Sequence, residues 1–353
     1  MRLPPRTCAA ALGAMIVLAV GIVSRPTPPT LGPADGDPEL IARVASLLDG
    51  LRDRVSVVYI RDGVLTEAHF GADSDTVYEI GSITKTMTSL LFAEAVEAGE
   101  LTPDTPLGSL LDLGSSAAAD VTLEELASHR SGLPRISNRP QDLAGAGLAV
   151  LRHRNPYTTD VAALLTQARS ANLSGRGSFS YSNLGAALLG EALSAHAGTN
   201  YPAMLDRHLF QPLGMTHSFT PLTATELSSD APIGWSAKGH PERAWTLNAY
   251  APAGGVRSTP ADMARYAQAL LDRRAPGLSA LDPRWDAADD IRVGRAWLTH
   301  RVGDVDVTWH NGGTGGFSSM LALDREHAAA VVVLANSAVA VDEIAIRILV
   351  DTA

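Results

Sequence analysis

Ser82 and Lys85 are the residues best suited by type and spacing to do chemistry. The chain contains 28 lysines and arginines, yet Lys85 and Lys238 are its only lysines. A guanidinium keeps its proton at any ordinary pH, whereas a buried ammonium can give its proton up and act as a base. The segment Glu79-Ile80-Gly81-Ser82-Ile83-Thr84-Lys85-Thr86-Met87 reads as a strand end or turn feeding a helix. Positions three apart share a helix face, so hydroxyl and amine can meet there. A serine at a helix N-terminus also sits where the dipole favours developing negative charge. The pair is therefore a candidate activated nucleophile. An isolated Ser-x-x-Lys is a cheap match, and its weight depends on the motifs downstream of it.

Two such motifs are present. Ser180-Tyr181-Ser182-Asn183 precedes an apolar helix. Ser182 or Asn183 can serve merely as its cap, or Tyr181 and Asn183 can present a phenol and an amide to a cleft. His310-Asn311-Gly312-Gly313-Thr314-Gly315-Gly316 is read between two strands. It is a glycine-rich turn, or a strand edge whose backbone approaches a ligand closely enough to polarise a carbonyl. It is not a phosphate-binding loop, because no lysine comes after the glycines. No Gly-x-Ser-x-Gly elbow and no His-Glu-x-x-His occurs, which argues against an α/β-hydrolase layout and a zincin site. His129, His153 and His196 stand apart from these motifs and read as surface or packing residues.

The elements that must position these groups are legible from patterning. Helices are expected over Pro38–Leu51, Ser82–Ala98, Thr122–Ser128, Asp160–Ala171, Asn183–Ala197, Pro202–Phe210, Thr259–Leu271 and Val339–Leu349. Strands are expected over Val55–Ile60, Val64–Phe70, Arg295–Val302, Asp304–Trp309, Gly316–Leu323 and Ala329–Ala335. Strands thus lie at both ends and helices in the middle. The fold class is α+β: one antiparallel sheet formed from both termini and flanked by helices, with a helical insertion lobe at about residues 101–249 and a cleft between. Residues 130–158 lack regular patterning and read as a lid or binding loop.

The remaining features bound the setting. A net charge of −10 without any basic run speaks against nucleic acid as a partner. Arg2 and Arg6 precede an apolar stretch from Cys8 to Val23, so residues 1–24 read as a signal peptide or an uncleaved membrane anchor. Residues 25–37 read as a proline-rich linker, and residues 38–353 as the catalytic domain. A secreted or membrane-anchored, extracytoplasmic protein is the expectation. Cys8 is the only cysteine, so the body of the chain has no thiol for disulfides, thiolate metal sites or catalysis.

Taken in order, Ser82-x-x-Lys85, Tyr181-x-Asn183 and His310-x-Gly312 resemble the active-site triplet of the penicillin-recognising serine hydrolases, and the tyrosine form resembles the class C β-lactamase branch with its DD-peptidase and esterase relatives. Leu123 to Pro134, Leu209 to Met215 and Gly254 to Thr259 are similar to further family stretches. The resemblance spans about residues 38 to 340. It implies a β-lactamase/transpeptidase-like fold and a serine hydrolase that forms an acyl-enzyme on a small-molecule or peptidic ester or amide, with neither metal nor organic cofactor. Ser82 is implied as nucleophile and Lys85 as its proton relay. Tyr181 is implied as general base, with a phenol pKa lowered by Lys85. Asn183 would orient Lys85 and the substrate, and His310, Asn311 and Gly312 would bind substrate. The backbone N–H groups of Ser82 and Gly313 would form the oxyanion hole. Asn311 stands where many relatives carry a hydroxyl that helps bind a substrate carboxylate. The rival reading is a non-catalytic penicillin-recognising binding or sensor domain of the cell envelope, which has no need of Lys85.

Overall fold

The computed structural model describes residues 27–228 and 231–351. The leader expected over residues 1–24 lies outside the described residues, as do the first two residues of the linker. Among the described residues no helix is long and apolar enough to cross a membrane.

The strands are β1 Ala34–Gly36, β2 Val55–Arg61, β3 Val64–Phe70, β4 Tyr78–Glu79, β5 Gly234–Trp235, β6 Pro241–Glu242, β7 Arg257–Ser258, β8 Trp285–Ala288, β9 Ile291–Val293, β10 Leu298–Val302, β11 Val305–Gly313, β12 Ser318–Asp324 and β13 Ala329–Ala335. The α-helices are α1 Pro38–Leu47, α2 Thr84–Glu97, α3 Leu123–Ala127, α4 Pro140–Leu151, α5 Val161–Arg169, α6 Asn183–Ala197, α7 Tyr201–Leu205, α8 Gln211–Leu213, α9 Pro260–Leu271 and α10 Asp342–Val350. Nine strands form one antiparallel sheet in the order β1-β3-β2-β13-β12-β11-β10-β9-β8. The chain's two ends meet at its centre, where Val57 faces Val333 and Ala335 faces Val55. Every residue of β12 and β13 is buried. Both faces of the sheet are covered, which is why these strands read as almost unbroken apolar runs. One face packs on α1 and α10 through Leu40, Val44, Ile344 and Ile348. The other packs on the helical body through Ile83, Met87, Leu90 and Leu321.

Helix α2 is the centre of that body. Thr84 to Ala93 are all buried, so over that length the helix shows no polar face to water. Its hydroxyls are satisfied internally: Thr86 donates to the Ile83 carbonyl at 2.6 Å and pairs with the Tyr266 hydroxyl at 2.9 Å, and Thr88 donates to the Pro252 carbonyl at 2.9 Å. Buried polar groups are tolerated only when paired in this way, so α2 is held at a fixed depth and rotation.

Several expectations are corrected. The end of the proline-rich stretch is an edge strand: β1 pairs with β3, Ala34 opposite Phe70. The segment 130–158, expected as a loop, contains α4, none of whose residues is buried. A helix that buries no residue fully needs no strong apolar periodicity, and so carries little signal. His310 to Gly313 are not a turn between strands but the last four residues of β11, in register with Leu321 to Ser318. The short strands β8 and β9 lie outside the expected set.

Candidate active site

Ser82 lies in a single 3-10 turn, Gly81–Ile83, immediately before α2. That turn is wedged against the end of β11. Gly81 has φ +51°, and a Cβ there would lie 2.6 Å from the Gly313 nitrogen; a Cβ on Gly312 would lie 2.1 Å from the Ile80 carbonyl oxygen. Only glycine permits both the left-handed backbone and the approach. The Ser319 hydroxyl donates to the Ile80 carbonyl at 2.8 Å and fixes the contact. The backbone around Ser82 and that around Gly313 are thereby brought side by side.

The Lys85 ammonium is 1% exposed. Its Nζ donates to Ser82 Oγ at 2.9 Å and to the carbonyl of Ala253. That carbonyl ends the segment before Gly254 to Thr259, one of the stretches that carries the family resemblance. Burial, with the nearby Arg135 adding to it, pulls the Lys85 pKa well below the ordinary lysine value.

Tyr181 stands over the amine, with Lys85 Nζ 4.9 Å from its ring centroid. Its phenol does not behave as expected. Burial pushes its pKa up to about 12, against the smaller opposing pull of a Ser82 hydrogen bond and Arg135. A desolvated phenolate is costly, and a lysine that sheds its own charge is no counter-ion for it. Asn183 also differs from expectation. Its amide nitrogen donates to the Tyr157 hydroxyl at 3.0 Å, while the hydrogen bonds of Lys85 go to Ser82 and Ala253.

Three further residues belong here that sequence reasoning missed. His129 is 2% exposed, and its ring stacks on Tyr181 with centroids 4.4 Å apart. Its Nδ1 accepts the Ser182 N–H at 3.2 Å, so Nε2 carries the hydrogen. The Arg135 guanidinium lies 5.1 Å from the Tyr181 ring centroid and lines the same cleft. Tyr157 holds Asn183. These residues arrive through loop pairing. The Pro134 carbonyl accepts from the Ser182 hydroxyl at 2.7 Å and the Arg135 carbonyl from the Asn183 N–H at 2.8 Å. The stretch Leu123–Pro134, notable in the sequence only as a resemblance, clamps Tyr181 and Asn183. Of the other two isolated histidines, His153 pairs with Glu242 at 2.5 Å and His196 approaches Glu100 at 3.7 Å.

His310 is also buried, at 1% exposure. Its Nδ1 is 2.6 Å from the Asn311 carbonyl. A carbonyl can only accept, so Nδ1 carries the hydrogen and Nε2 a lone pair. Burial lowers its pKa to about 3. Ser82, Arg135, Tyr181, His310, Asn311 and Gly313 line one cleft of about 500 Å³.

The two histidines carry a stability prediction. Folded, both titrate below the ordinary 6.5, His129 well below it and His310 at about 3. Below pH 6.5 the unfolded chain therefore binds protons that the folded chain refuses, and stability falls by up to about 1.4 kcal/mol per pH unit for each histidine. Thermal unfolding should move to lower temperature between pH 6.5 and 5, and His310→Gln should flatten the slope. An unchanged slope in that variant would contradict the buried neutral assignment.

The β-lactamase family model matches residues 43–352, which takes in the sheet from β2 onward, the helical body and every residue of the cleft. The chain belongs to the β-lactamase family. It is 27% identical over 290 residues to the D-alanyl-D-alanine-carboxypeptidase/endopeptidase AmpH of Escherichia coli K12, covering 74% of this chain and 72% of that protein. It is 29% identical to the human putative β-lactamase-like 1 over 65% of this chain and 48% of the relative. The class C β-lactamase of Rhodobacter sphaeroides superposes with a TM-score of 0.73 at 21% identity, over 86% of this chain and 95% of that one. The D-alanine carboxypeptidase AmpC of Burkholderia cenocepacia superposes with a TM-score of 0.73 at 22% identity, over 88% and 97%. The protein is thus a β-lactamase-family serine hydrolase, and enzymes of this family work through an acyl-enzyme.

Proposed function

We propose that this member of the family is foremost an esterase, with Ser82 as its nucleophile and Lys85 as the base. The observation that carries the reading is the buried Lys85 amine, 2.9 Å from Ser82 Oγ and with its pKa depressed by burial. An amine whose pKa is lowered by burial, in its neutral form and at that distance, can take the hydroxyl proton as Oγ attacks the carbonyl carbon. The carbonyl oxygen gains the charge and is met by the Ser82 and Gly313 N–H groups. When the tetrahedral species collapses, the carbon–oxygen bond to the alcohol breaks, and the alcohol leaves with the proton that Lys85 took. Water then attacks the acyl-enzyme, its proton passing to the same amine, and Ser82 is freed with release of the acid. Tyr181, protonated at neutral pH, serves as a hydrogen-bond donor and proton relay beside Lys85 rather than as a phenolate base. The Asn183 side-chain oxygen, buried without a partner among the described residues, is an acceptor free for a substrate N–H or O–H.

The preference for esters rests on the third motif. A neutral His310 and the absence of a hydroxyl at Asn311 offer a penicillin carboxylate no cation. One lost charge-assisted hydrogen bond is worth about 1.5–3 kcal/mol, about ten- to a hundredfold in affinity. kcat/KM for p-nitrophenyl acetate or butyrate should therefore exceed that for a chromogenic cephalosporin. Placing Lys at 310 together with Thr at 311 should narrow the gap. Cephalosporin turnover equal to ester turnover in the unaltered protein would overturn the preference.

A further inference from the structure

The wall of the cleft built by the end of β11 and the start of α10 has an unusual polarity. His310 Nδ1 is committed to the Asn311 carbonyl. His310 lines the cleft, and its Nε2 is buried and, among the described residues, has no hydrogen-bond partner. Because Nδ1 holds the hydrogen, that unpartnered atom is an acceptor. On the opposite face of β11, where Asn311 pairs with Met320, the Asn311 side-chain amide donates to Asp342 Oδ1 at 2.5 Å. This leaves the Asn311 carboxamide oxygen and the second Asp342 oxygen as further acceptors. Among the described residues Asp342 makes no ion pair of the kind that would neutralise it. Arg52 spends its guanidinium on the Val339 and Ala340 carbonyls of the loop before Asp342 and on Asp49.

An acidic residue in the first turn of a helix ordinarily does no more than complement the dipole. Asp342 does more. It reaches across to a strand that starts and ends well before it in the chain, and it lines the same cleft as Ser82. The Ser318 hydroxyl, which also lines the cleft there, is turned away to the Ser337 and Val339 carbonyls. The cation that lines the cleft is Arg135, over the Tyr181 ring.

We propose that Asn311 and Asp342 form an acceptor-rich subsite of the cleft that takes a hydrogen-bond-donating group of the substrate, best an ammonium, and turns a carboxylate away. The inference rests on the esterase reading above and names the substrate class that reading left open. An N–H donor entering this wall meets the Asn311 carboxamide oxygen and the Asp342 carboxylate. A carboxylate meets only acceptors there, and like charges brought together with no donor between them repel.

The test uses two matched ester series and one binding measurement. In the first series the charge is on the leaving group: the phenolic acetates of tyramine, 4-ethylphenol and 4-hydroxyphenylacetate. In the second it is on the acyl chain: p-nitrophenyl esters of 6-aminohexanoate, hexanoate and adipate. In at least one series kcat/KM should favour the ammonium over the carboxylate by about five- to tenfold, the lower figure allowing for solvent screening at Asp342. Asp342→Asn should cut that ratio several-fold, whereas a merely structural loss would lower both substrates together. In Ser82→Ala, calorimetric titration with tyramine and with 4-hydroxyphenylacetate reads the subsite without turnover, so it separates this proposal from the esterase reading. Tighter binding of tyramine, lost in the Asp342→Asn double variant, supports the subsite even if neutral esters are poor substrates. Equal or tighter binding of the carboxylate, or an ammonium-to-carboxylate ratio near one in both series, overturns it.

Discussion

Ser82→Ala is expected to abolish turnover, with a loss of about 10⁴- to 10⁶-fold in kcat, the range seen when a covalent nucleophile is removed from a preorganised site. The residue stands in a turn that glycines at 81 and 312 allow to sit directly on β11, so the alanine variant should fold. A fluorophosphonate should add its mass to the peptide that ends at Lys85. Labelling that persists in Ser82→Ala would place the nucleophile elsewhere.

The second large effect belongs to Lys85. Arginine keeps the positive charge but cannot surrender a proton, and its larger head must fit where two oxygens, Ser82 Oγ and the Ala253 carbonyl, now receive the amine. Lys85→Arg should lower kcat by at least about 100-fold. The pH profile separates the chemistry from mere misfit. In the parent enzyme a base with a depressed pKa is protonated, and idle, at low pH, so kcat/KM rises as pH passes upward through that value. The arginine variant should lack this limb. Lys85→Met, close in shape and never charged, should unfold at a temperature near that of the parent while remaining inactive. Near-parental kcat in a correctly folded arginine variant would refute the role.

Much of the fold and site is legible in residue order alone, for physical reasons that differ by element. Helix α9 announces itself because Thr259 caps it and Pro260 opens it, and the Thr259 hydroxyl does accept the Asp262 N–H at 3.2 Å. Strands β12 and β13 are legible because burial on both faces demands apolar side chains throughout. Helix α4 is illegible because it buries no residue fully, and β1 because three residues in a proline-rich run carry no period. At the site, Ser82 and Lys85 share one helical turn, so spacing suffices to pair them. His129 and Arg135 enter through backbone pairing between distant loops, and no local pattern encodes that. The Tyr181 phenol misleads for a related reason. Proximity to a lysine suggests a lowered pKa, but the depth of burial decides the sign, and depth is a property of the whole fold.

The placement of β13 between β2 and β12 governs the order in which the molecule can be made. Arg54 and Asn336, 282 positions apart, are joined by a backbone-to-amide hydrogen bond at 2.8 Å. The nucleophile turn comes from the first third of the chain and the strand beside it from the last. Until Ala329–Ala335 is synthesised and seated, β2 and β12 are both open edges, and the two halves of the cleft have no common frame. Contacts this far apart in sequence slow folding, and unpaired edges invite pairing with other chains. A polypeptide cut short before residue 329 would therefore be not a weakened enzyme but an aggregation-prone fragment, and hydrolytic capacity would emerge all at once, at the end of synthesis.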